Sequence, residues 1–589
     1  RMQPSRRWII TEPTEAAATL AQALRTSPVI AQILINRGIK EPQPAFEFLN
    51  PNMKLLHDPR LMPNLETAAR RIERAIREQQ RIVIYGDYDV DGITATTILW
   101  HAIRKLGGQA DFYIPHRIDE GYGLNSEAIT QICDSGAQLI ITVDCGVTAI
   151  EQAEICRKCG VDLIISDHHE WRESHETHTP MLPECFAIVH PRLPMADGPP
   201  TYPNPNICGA GVAFKLAWGV GQVHNNADRV SQEFREFLVE AMSLAALGTI
   251  ADVVPLTGEN RLLAHFGLLG LKRSSLVGIR ALIESAGLTG QKLDAYHVGF
   301  LLAPRLNACG RMGHAREAVE MLTVADLPRA GVIASELESQ NRARQALERQ
   351  IFQEAMEQAT RNGYDRDDCR GVVLAAEGWH AGVIGIVASR VVGKLNRPAI
   401  MIALADGHGH GSARSISGFH LAKALEACRE HLETCGGHEM AAGLRLETAK
   451  LDAFRQAFMD HAAGCITPEM LVPELRLDCT ATLGQVTEAM VNDLKRLGPF
   501  GTSNRRPLLC CRDVELTSAP RRVGKTGDHV QLLVRQNGTT MKCIAFNRPD
   551  LADSLKAGSR IDVAAEPGIN EYNGYRNVEL QVADVRLSE

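Results

Sequence analysis

Between residues 80 and 170, short apolar segments alternate with amphipathic ones, and this alternation constrains the fold more than any other feature. The segments RIVIYG, AQLIITVD and VDLIISDHH are short, rich in β-branched residues and almost continuously apolar. The segments between them, ITATTILWHAIRKLGG and TAIEQAEICRKCG, have helical spacing and close on glycine, as helix C-caps do. Apolar strands that alternate with helices predict a parallel sheet covered on both faces.

Each predicted strand leads into a loop of carboxylates or imidazoles. Asp87, Asp89 and Asp91 follow the first strand, Asp144 the second, Asp167, His168 and His169 the third, and Asp252 follows a later helix. Loops at the carboxyl ends of parallel strands share one crevice, so we expect these groups to converge. Any one loop could be a solvated acidic turn, but crowded carboxylates repel each other unless a cation lies among them. The set predicts two Mg²⁺ or Mn²⁺ ions that act in phosphoryl transfer.

The rest of the chain divides into further regions. Residues 326–364 predict one helix of about 50 Å whose polar faces suit a connection between two domains. Residues 365–465 predict a second α/β domain, and residues 466–589 predict a small barrel of the OB type, with type I′ turns at Asn537-Gly538 and Asn573-Gly574. The first domain spans residues 51–325, and residues 1–50, with Trp8, are expected to pack on it.

Composition narrows the class of protein without identifying a partner. A chain of 589 residues is too long for one core. No apolar run approaches the roughly 18–20 residues of a membrane helix, and the N-terminal segment lacks the apolar core of a signal peptide. Fifteen scattered cysteines predict free thiols and a cytoplasmic location. The net charge of −7 argues weakly against a simple basic nucleic-acid binder, although metal-binding carboxylates inflate the acidic count.

The segments DYDVDG, VDCGV, SDHHE and ADVVPL resemble, in this order, the four motifs of the DHH phosphoesterase superfamily. IPHRIDEGYGL, PRLNACGRMG, GSARSISGFHLAKAL and CGGHEMAAGL resemble the RecJ family of single-strand DNA exonucleases in particular. The resemblance extends from about residue 30 to the end of the chain. It implies an α/β protein in which a parallel-sheet DHH domain is joined by a long helix to a DHHA1-type domain and an OB-type barrel. It also implies a metal-dependent 5′→3′ exonuclease that releases 5′-mononucleotides in DNA repair and recombination.

The resemblance also implies roles for individual residues. The metal ligands would be Asp87, Asp89, Asp91, Asp144, His168 and Asp252, with Asp144 bridging two ions of Mn²⁺ or Mg²⁺. Together with His169, which would face the scissile phosphate, Asp89, Asp91, Asp144 and His168 form the catalytic set, and Asp167 would orient a histidine.

A second group of residues is implied to contact phosphate or DNA. Its members are Arg305, Asn307, Arg311, Ser412, Arg414, Gly436, Gly437 and His438, with Arg117, Tyr122 and Gly123 near the same cleft. Taken singly, Arg305 or Arg311 could equally be a salt-bridged structural residue, and a plain glycine turn explains much of HRIDEGYG. Glycine lets the main chain approach a phosphate closely, and arginine gives bidentate contacts.

The barrel offers a looser signal for DNA binding. Arg505, Arg506, Arg512, Arg521, Arg522 and Lys525 cluster near its first strands, and Tyr572 and Tyr575 flank a turn where they could stack on bases. The alternative is a solvated basic face with aromatic residues at a turn. Because the net charge of residues 466–589 is near zero, any DNA contact must be a local stripe.

Two other functions stay open. One is a DHH phosphoesterase for pyrophosphate, nanoRNA or cyclic dinucleotides, although such small substrates need neither the long helix nor the barrel. The other is a non-catalytic replication scaffold, although its metal ligands should then have been lost. For the exonuclease, the resemblance implies single-strand-binding protein and a RecQ-type helicase as partners, with a monomeric enzyme and no membrane association.

Overall fold

The computed structural model describes residues 6–116, 120, 123–174, 179–194, 198, 202–312, 314–572 and 575–588. The chain forms two compact units. Gln43–Asn341 with Arg496–Arg506 form what we call the parallel-sheet unit, and Arg1–Pro42, Arg342–Lys495 and Pro507–Glu589 form the barrel unit.

The N-terminal segment differs from the expectation that residues 1–50 pack on the first domain. It contains β1 (Arg7–Ile10), α1 (Glu15–Leu24), α2 (Pro28–Asn36) and α3 (Pro42–Leu49). Up to Pro42 it belongs to the barrel unit, where β1 pairs in parallel with residues 474–477. The Trp8 indole donates a hydrogen bond to Asp584 over 3.0 Å. The segment thus supplies hydrogen-bonding partners for a strand of the barrel unit.

The parallel-sheet unit begins with alternating helices and strands. They are α4 (Leu65–Arg77), β2 (Arg81–Gly86), α5 (Val90–Lys105), β3 (Gln109–Tyr113), α6 (Ser126–Asp134), β4 (Leu139–Val143), α7 (Ile150–Lys158), β5 (Asp162–Ser166), β6 (Arg172–Glu173), β7 (Pro180–Met181) and β8 (Ala187–Val189). Strands β3-β2-β4-β5-β8 form one sheet in which every pair is parallel, and β6 and β7 form a separate hairpin. The predicted parallel sheet is confirmed.

Successive side chains of the central strands enter two different cores. Ile82 and Ile84 pack with α4 and α5, whereas Val83 and Tyr85 pack with α6 and α7 on the other face. Both faces are therefore covered, which explains why β2, β4 and β5 are apolar at nearly every position. The polar groups of this sheet lie at the strand ends.

A helical region completes the parallel-sheet unit. It contains α8 (Gly209–His224), α9 (Gln232–Ala251), α10 (Gly258–Leu271), α11 (Val277–Ser285), α12 (Ala295–His297), a π-helical turn (Val298–Leu302), α13 (Ala303–Met312), α14 (Ala315–Leu322) and α15 (Leu327–Arg361). Helix α15 has 35 residues, is capped by Asp326, and carries the chain from one unit into the other. The predicted long helix is confirmed.

The barrel unit continues with a mixed sheet. Its elements are β9 (Val372–Glu377), α16 (Ala381–Leu395), β10 (Ala399–Ala405), β11 (His408–Arg414), α17 (Leu421–Ala427), β12 (Thr434–Gly437), β13 (Ala441–Glu447) and α18 (Leu451–Cys465). The strand order is β12-β13-β11-β10-β9, and only β9 and β10 run parallel. This region is the predicted second α/β domain.

Five of the remaining strands close into a ring. The elements are β14 (Glu474–Leu477), β15 (Cys479–Thr480), α19 (Glu488–Arg496), β16 (Leu509–Leu516), β17 (Arg521–Val523), β18 (His529–Gln536), β19 (Thr539–Ala545), α20 (Asp550–Ser554), β20 (Arg560–Tyr572) and β21 (Tyr575–Leu587). Strands β16, β20, β21, β19 and β18 each pair with the next, and β18 pairs back to β16. Five strands in a closed ring match the predicted OB-type barrel.

The turn between β18 and β19 has the predicted type I′ geometry. Both Asn537 (φ 49°) and Gly538 (φ 81°) lie in the left-handed region that this turn requires. Asn573 and Gly574 lie outside the described residues, although β20 and β21 pair in register up to Tyr572 and Tyr575.

The thiols and helices also bear on earlier expectations. All fifteen cysteines are free, as their scattered positions predicted. No helix in the described ranges combines the length and apolarity needed to cross a membrane.

Short 3₁₀ turns occur at Met53–Leu55, Pro59–Leu61, Arg429–His431, Thr448–Lys450, Pro468–Leu471 and Leu483–Gln485.

Candidate functional site

The carboxyl ends of β2, β4 and β5 bring the predicted metal ligands together. Three groups have ligand atoms that all lie within 4.8 Å of one another: Asp144, His168 and His169; Asp91, His168 and Asp252; Asp87, Asp89 and Asp144. All six predicted ligands are included, and Asp144 and His168 each belong to two groups. The parallel topology explains this convergence, since the loops that follow neighbouring strands emerge at one edge of the sheet.

His168 lies at the centre of this cluster. Its Nε2 is 3.1 Å from Asp144 Oδ1 and 3.7 Å from carboxylate oxygens of Asp91 and Asp252. Asp144 Oδ1 and His168 Nε2 are both buried, yet neither makes a hydrogen bond within the described part of the chain. Buried polar atoms without hydrogen bonds are rare and require an explanation. Carboxylate oxygens around one imidazole nitrogen are a donor set that fits a divalent cation such as Mn²⁺.

Burial and mutual repulsion destabilise the charged forms of these carboxylates. Burial, reinforced by Asp91 and Asp89, raises the pKa of Asp144 well above its usual range. The same causes raise the pKa of Asp252 to about 8. Burial also lowers the pKa of His168, which favours the neutral imidazole that binds metals. A dication among these groups would reverse the effect on the carboxylates.

Main-chain groups hold one of the predicted ligands in place. Both carboxylate oxygens of Asp91 accept hydrogen bonds from the start of α8, over 2.6 Å from Gly209 N–H and 2.8 Å from Ala210 N–H. A Cβ atom on Gly209 would lie 2.5 Å from Asp144 Oδ1, so only glycine allows this approach. Sequence reasoning missed Gly209. Its signal is the glycine at the start of an otherwise apolar helix in CGAGVAF.

Two residues at the site have left-handed backbone conformations. Asp144 has φ of 62°, and Val253, directly after Asp252, has φ of 60°. Valine is rarely found there because its branched Cβ clashes with the backbone. Such strain of about 1–3 kcal/mol persists where the surrounding structure imposes it, and it clusters at functional sites.

Asp167 contacts the backbone and one imidazole. Its Oδ1 accepts hydrogen bonds from His168 N–H and His169 N–H and lies 2.8 Å from His169 Nδ1, and its Oδ2 accepts one from Val147 N–H. Burial alone would raise the pKa of Asp167, but the hydrogen bond with His169 holds it far below the usual range. Burial opposes the charge on His169, yet the hydrogen bond with Asp167 raises its pKa to about 9. His169 therefore carries a proton at neutral pH, on a ring that is partly exposed.

A cavity of about 310 Å³ adjoins the acidic loop. It is lined by Asp87, Tyr88, Asp89, Ala251, Asn307, Gly310 and Arg311. Asn307 accepts a hydrogen bond from Val90 N–H, so α13 is tied to the loop that carries the aspartates. Arg305, in contrast, is buried and its Nε lies 2.8 Å from Glu338 of α15. Of the three residues predicted from PRLNACGRMG, Asn307 and Arg311 border the cluster and Arg305 occupies the salt-bridged position that was its structural alternative.

The other predicted phosphate contacts lie on the mixed sheet of the barrel unit. Ser412, Gly443 and Gly436 are aligned across β11, β13 and β12. Arg414 donates hydrogen bonds to Ser412 Oγ and to the Ala413 carbonyl, and no carboxylate among the described residues affects its pKa, which burial lowers. Gly437 has φ of 145° and, with Gly436 and His438, is exposed. A partly buried guanidinium without a carboxylate beside exposed glycines can accept an anion.

The predicted basic stripe of the barrel is interrupted. Arg522 pairs with Asp553 over 2.8 Å and Arg512 pairs with Glu12, whereas Arg521 and Lys525 are exposed. Arg505 and Arg506 belong to the parallel-sheet unit. The side chains of Tyr572 and Tyr575 lie outside the described residues, as do Arg117 and Tyr122; Gly123 is a turn glycine with φ of 88°.

Family models match three regions of the chain. The DHH family N-terminal domain matches residues 81–249, the DHHA1 domain matches residues 369–463, and the RecJ OB domain matches residues 477–584. These regions contain the parallel sheet, the mixed sheet and the closed barrel, respectively. The fold class expected from the sequence is therefore confirmed.

Curated relatives and solved structures agree with these models. The single-stranded-DNA-specific exonuclease RecJ of Bacillus subtilis (strain 168) is 37% identical over 586 residues, which cover 99% of this chain and 71% of that protein. The RecJ of Escherichia coli (strain K12) is 32% identical over 95% of this chain and 96% of its own.

Two crystal structures of RecJ from Thermus thermophilus are also similar. The complex with Mn²⁺ has a TM-score of 0.81 at 31% identity and covers 99% of this chain and 79% of that one. The complex with Mg²⁺ has a TM-score of 0.75 at 30% identity and covers 99% and 78%. The chain belongs to the RecJ family of single-stranded-DNA-specific exonucleases.

Proposed function

We propose that this chain is a metal-dependent exonuclease that degrades single-stranded DNA from the 5′ end and releases 5′-mononucleotides. The observation that carries the proposal is the buried pair of Asp144 Oδ1 and His168 Nε2, which lie among further carboxylates and make no hydrogen bond within the described residues. Membership of the RecJ family supports single-stranded DNA as the substrate. The direction is the one that the resemblance of the sequence motifs implies.

Six residues would hold two ions of Mn²⁺ or Mg²⁺: Asp87, Asp89, Asp91, Asp144, His168 and Asp252. Bound ions would activate a water molecule and stabilise the negative charge that develops on the phosphoryl oxygens. Asp144 is the proposed bridge, because its carboxylate belongs to two of the three ligand groups. The N-terminus of α8 keeps both oxygens of Asp91 fixed on the cluster through two main-chain hydrogen bonds.

His169 is the proposed source of the proton for the leaving group. In the hydrolysis, the oxygen of water bonds to phosphorus, the bond from phosphorus to the 3′ oxygen of the terminal nucleotide breaks, and that oxygen takes up a proton. The hydrogen bond to Asp167 raises the pKa of His169 to about 9 in the metal-free chain, and its ring is partly exposed. A positioned acid of this kind typically contributes about 10²–10⁴-fold to the rate.

Other residues would hold the DNA. Asn307 and Arg311 border the cavity beside Asp87 and Asp89, where a phosphate of the strand would bind. Ser412, Arg414, Gly436, Gly437 and His438 are the proposed contacts of further phosphates, including the 5′-terminal one. Exposed Arg521 and Lys525 on the barrel are proposed to contact DNA farther along the strand.

The biological setting that we propose is DNA repair and recombination in the cytoplasm. Fifteen free cysteines suit a reducing compartment. Single-strand-binding protein and a RecQ-type helicase are the proposed partners, since they would expose and present single strands, and the enzyme is proposed to act as a monomer.

The first experiment uses a 5′-phosphorylated single-stranded oligonucleotide labelled at its 3′ end. We expect a ladder of shortened products with Mn²⁺ or Mg²⁺, no products with EDTA, and a duplex that stays intact. Asp144→Ala should reduce the rate by about 10³-fold or more, which corresponds to at least about 4 kcal/mol of transition-state stabilisation. Asp111→Asn is the matched control, because Asp111 is an exposed aspartate of the same sheet that pairs with Arg81.

Three results would contradict the proposal. Release of the 3′ label as a mononucleotide at the earliest times, with no labelled strands of intermediate length, would indicate degradation from the 3′ end. Cleavage that persists in EDTA would show that metal binding at the carboxylate cluster is not required for the reaction. Intact oligonucleotide together with hydrolysis of pyrophosphate or cyclic dinucleotides would retain the metal centre and replace the substrate.

A further inference from the structure

The backbone of His168 and His169 is held from the side by the segment that follows β8. Strand β8 runs parallel to β5, with Ser166 opposite Val189, and Asp167 N–H donates a hydrogen bond to the Val189 carbonyl. Beyond that point the main-chain ladder between the two strands ends. The next residues of the segment, His190 and Arg192, contact the two histidines through their side chains.

His190 binds the carbonyl of His169. His190 Nε2 lies 2.8 Å from His169 O, and His190 Nδ1 accepts a hydrogen bond of 3.1 Å from Arg192 N–H. Because Nδ1 accepts, Nε2 must carry the proton and donate it to the carbonyl. The ring is fully buried, its centroid is 5.1 Å from that of Trp171, and burial lowers its pKa to about 4. His190 is thus a neutral donor with one defined tautomer.

Arg192 binds the carbonyl of His168. Its Nη2 donates a hydrogen bond of 2.6 Å to His168 O, and its Nη1 lies 3.6 Å from Glu170. A guanidinium presents its donors in a rigid plane, so this contact fixes the orientation of the peptide as well as its distance. The carbonyls of both histidines are therefore held by two donors from one neighbouring segment.

We infer that His190 and Arg192 are positioning residues that keep His168 aimed at the carboxylate cluster and His169 aimed at the substrate. The two rings are adjacent in sequence but have different tasks: His168 Nε2 faces Asp144, whereas His169 Nδ1 binds Asp167. Rotation of the peptide between them would move both rings at once. With both carbonyls held, each ring keeps its own direction. This inference rests on the proposed function and identifies support for the same site.

The test measures Mn²⁺ affinity and DNA cleavage on the full chain. Arg192→Met and His190→Leu remove the donors, whereas Arg192→Lys and His190→Gln keep a donor near the same position. Loss of an outer residue that orients a metal ligand typically lowers metal affinity or activity by about 10- to 100-fold. For Arg192→Met and His190→Leu we expect the Kd for Mn²⁺, measured by titration calorimetry, to rise by about this factor. We expect kcat to fall by about the same factor. The KM for the oligonucleotide should stay within about twofold, and the conservative variants should recover part of the loss.

Two controls keep the result interpretable. Arg157→Met removes an exposed arginine that pairs with Glu154 on α7 and should behave as the unmodified chain. Melting curves in EDTA identify any variant that has lost its fold. If Arg192→Met or His190→Leu is unfolded, the Kd for Mn²⁺ of the folded Arg192→Lys and His190→Gln variants tests the positioning role instead.

Unchanged Mn²⁺ affinity with a raised KM would overturn the inference and make Arg192 a DNA contact. Unchanged affinity and unchanged kinetics would also overturn it. Failure of the proposed function is a separate outcome. If the unmodified chain cleaves no DNA, the calorimetric titration still tests the positioning role; if Asp144→Ala abolishes cleavage and Arg192→Met has no effect, only the positioning role fails.

Discussion

Two of the places where the parallel-sheet unit buries charge are neutralised in different ways. In one, Lys215 of α8 and Glu259 of α10 form an ion pair of 2.6 Å with both side chains inaccessible to solvent. Glu259 also accepts hydrogen bonds from the Tyr202 hydroxyl and from His57 N–H, and Lys215 also donates to the His57 carbonyl. Each charge has an opposite charge and further polar partners within the protein.

The strand-end cluster lacks this internal balance. The ion pairs that the described residues form with Asp91, Asp144 and Asp252 involve only the two histidines, and burial lowers the pKa of His168, so that it is neutral. The chain can therefore neutralise buried charge with its own side chains, as at Lys215. At the cluster, the protonated ring of His169 binds Asp167 and lies 4.0 Å from Asp144, so the carboxylates outnumber the cationic side chains. An uncompensated cluster is stable only with an external cation or bound protons.

Adding metal should stabilise the strand-end cluster and leave the Lys215–Glu259 pair unaffected, and we expect this to be the largest effect on the free energy of unfolding. An ion at 100 times its Kd stabilises the folded state by about 2.7 kcal/mol, so two ions at such concentrations give about 5 kcal/mol. Urea unfolding in Mn²⁺ and in EDTA measures this difference. Asp144→Asn should lose most of it, whereas Asp111→Asn should keep it. An equal gain in Asp144→Asn would show that Mn²⁺ stabilises the protein at some other place.

Lys215→Met should produce the next largest effect. Removing one partner of a buried ion pair leaves the other charge uncompensated and costs about 3–5 kcal/mol. Urea unfolding in Mn²⁺ should show this loss, while kcat per folded molecule stays unchanged. Adding Glu259→Gln to the same chain removes the stranded charge and should restore part of the stability. A loss below about 1 kcal/mol would mean that Glu259 becomes protonated or hydrated at little cost.

The metal-free protein should become less stable as the pH rises from about 4 to about 8. The pKa of Asp252 is about 8 in the folded chain and that of Asp144 is raised well above its usual range, so the folded state binds more protons than the unfolded state in this window. Stability that these protons provide is complete below the ordinary aspartate pKa and is lost as the pH passes the folded value. Each group contributes a slope of at most about 1.4 kcal/mol per pH unit.

Urea unfolding in EDTA across this pH range measures the slope. Saturating Mn²⁺ should remove or reverse it, because the bound ions favour the ionised carboxylates. Asp111→Asn should show the same slope as the unmodified chain in EDTA. Stability that stays flat or rises between pH 5 and pH 8 in EDTA would contradict this account of the cluster.

Features set by local sequence could be predicted. The parallel strands are short and apolar, and the candidate ligands directly follow them, so the topology alone brings Asp91, Asp144 and His168 together. The turn at Asn537-Gly538 was predictable because few residue pairs accept two left-handed conformations. The long helix α15 was predictable from its cap at Asp326 and its spacing.

Features that depend on distant partners could not be predicted. Nothing in RWII indicates that it pairs with residues 474–477, because the pairing depends on the unpaired backbone groups of that distant strand. Arg305 and Arg522 look like free cations in sequence, and only the fold places Glu338 and Asp553 beside them. His190 lies in IVHPRLP, which reads as a loop after a strand. Its role depends on the alignment of β8 with β5, which sequence alone does not provide.

The closed ring of the barrel has a consequence for partner binding. A protein that recognises its target by adding a strand needs an open sheet edge with unpaired backbone groups. The five strands β16, β20, β21, β19 and β18 each pair with two others in the described residues, so the ring offers no such edge where both sides are paired. Beyond Ala565, however, β20 pairs only with β21, and this hairpin arm keeps open edges. Among the strands joined to it, β15 and β17 are the terminal ones. A partner that docks on the doubly paired part of the ring must therefore contact side chains and loops, whereas strand addition is restricted to the hairpin arm and the terminal strands.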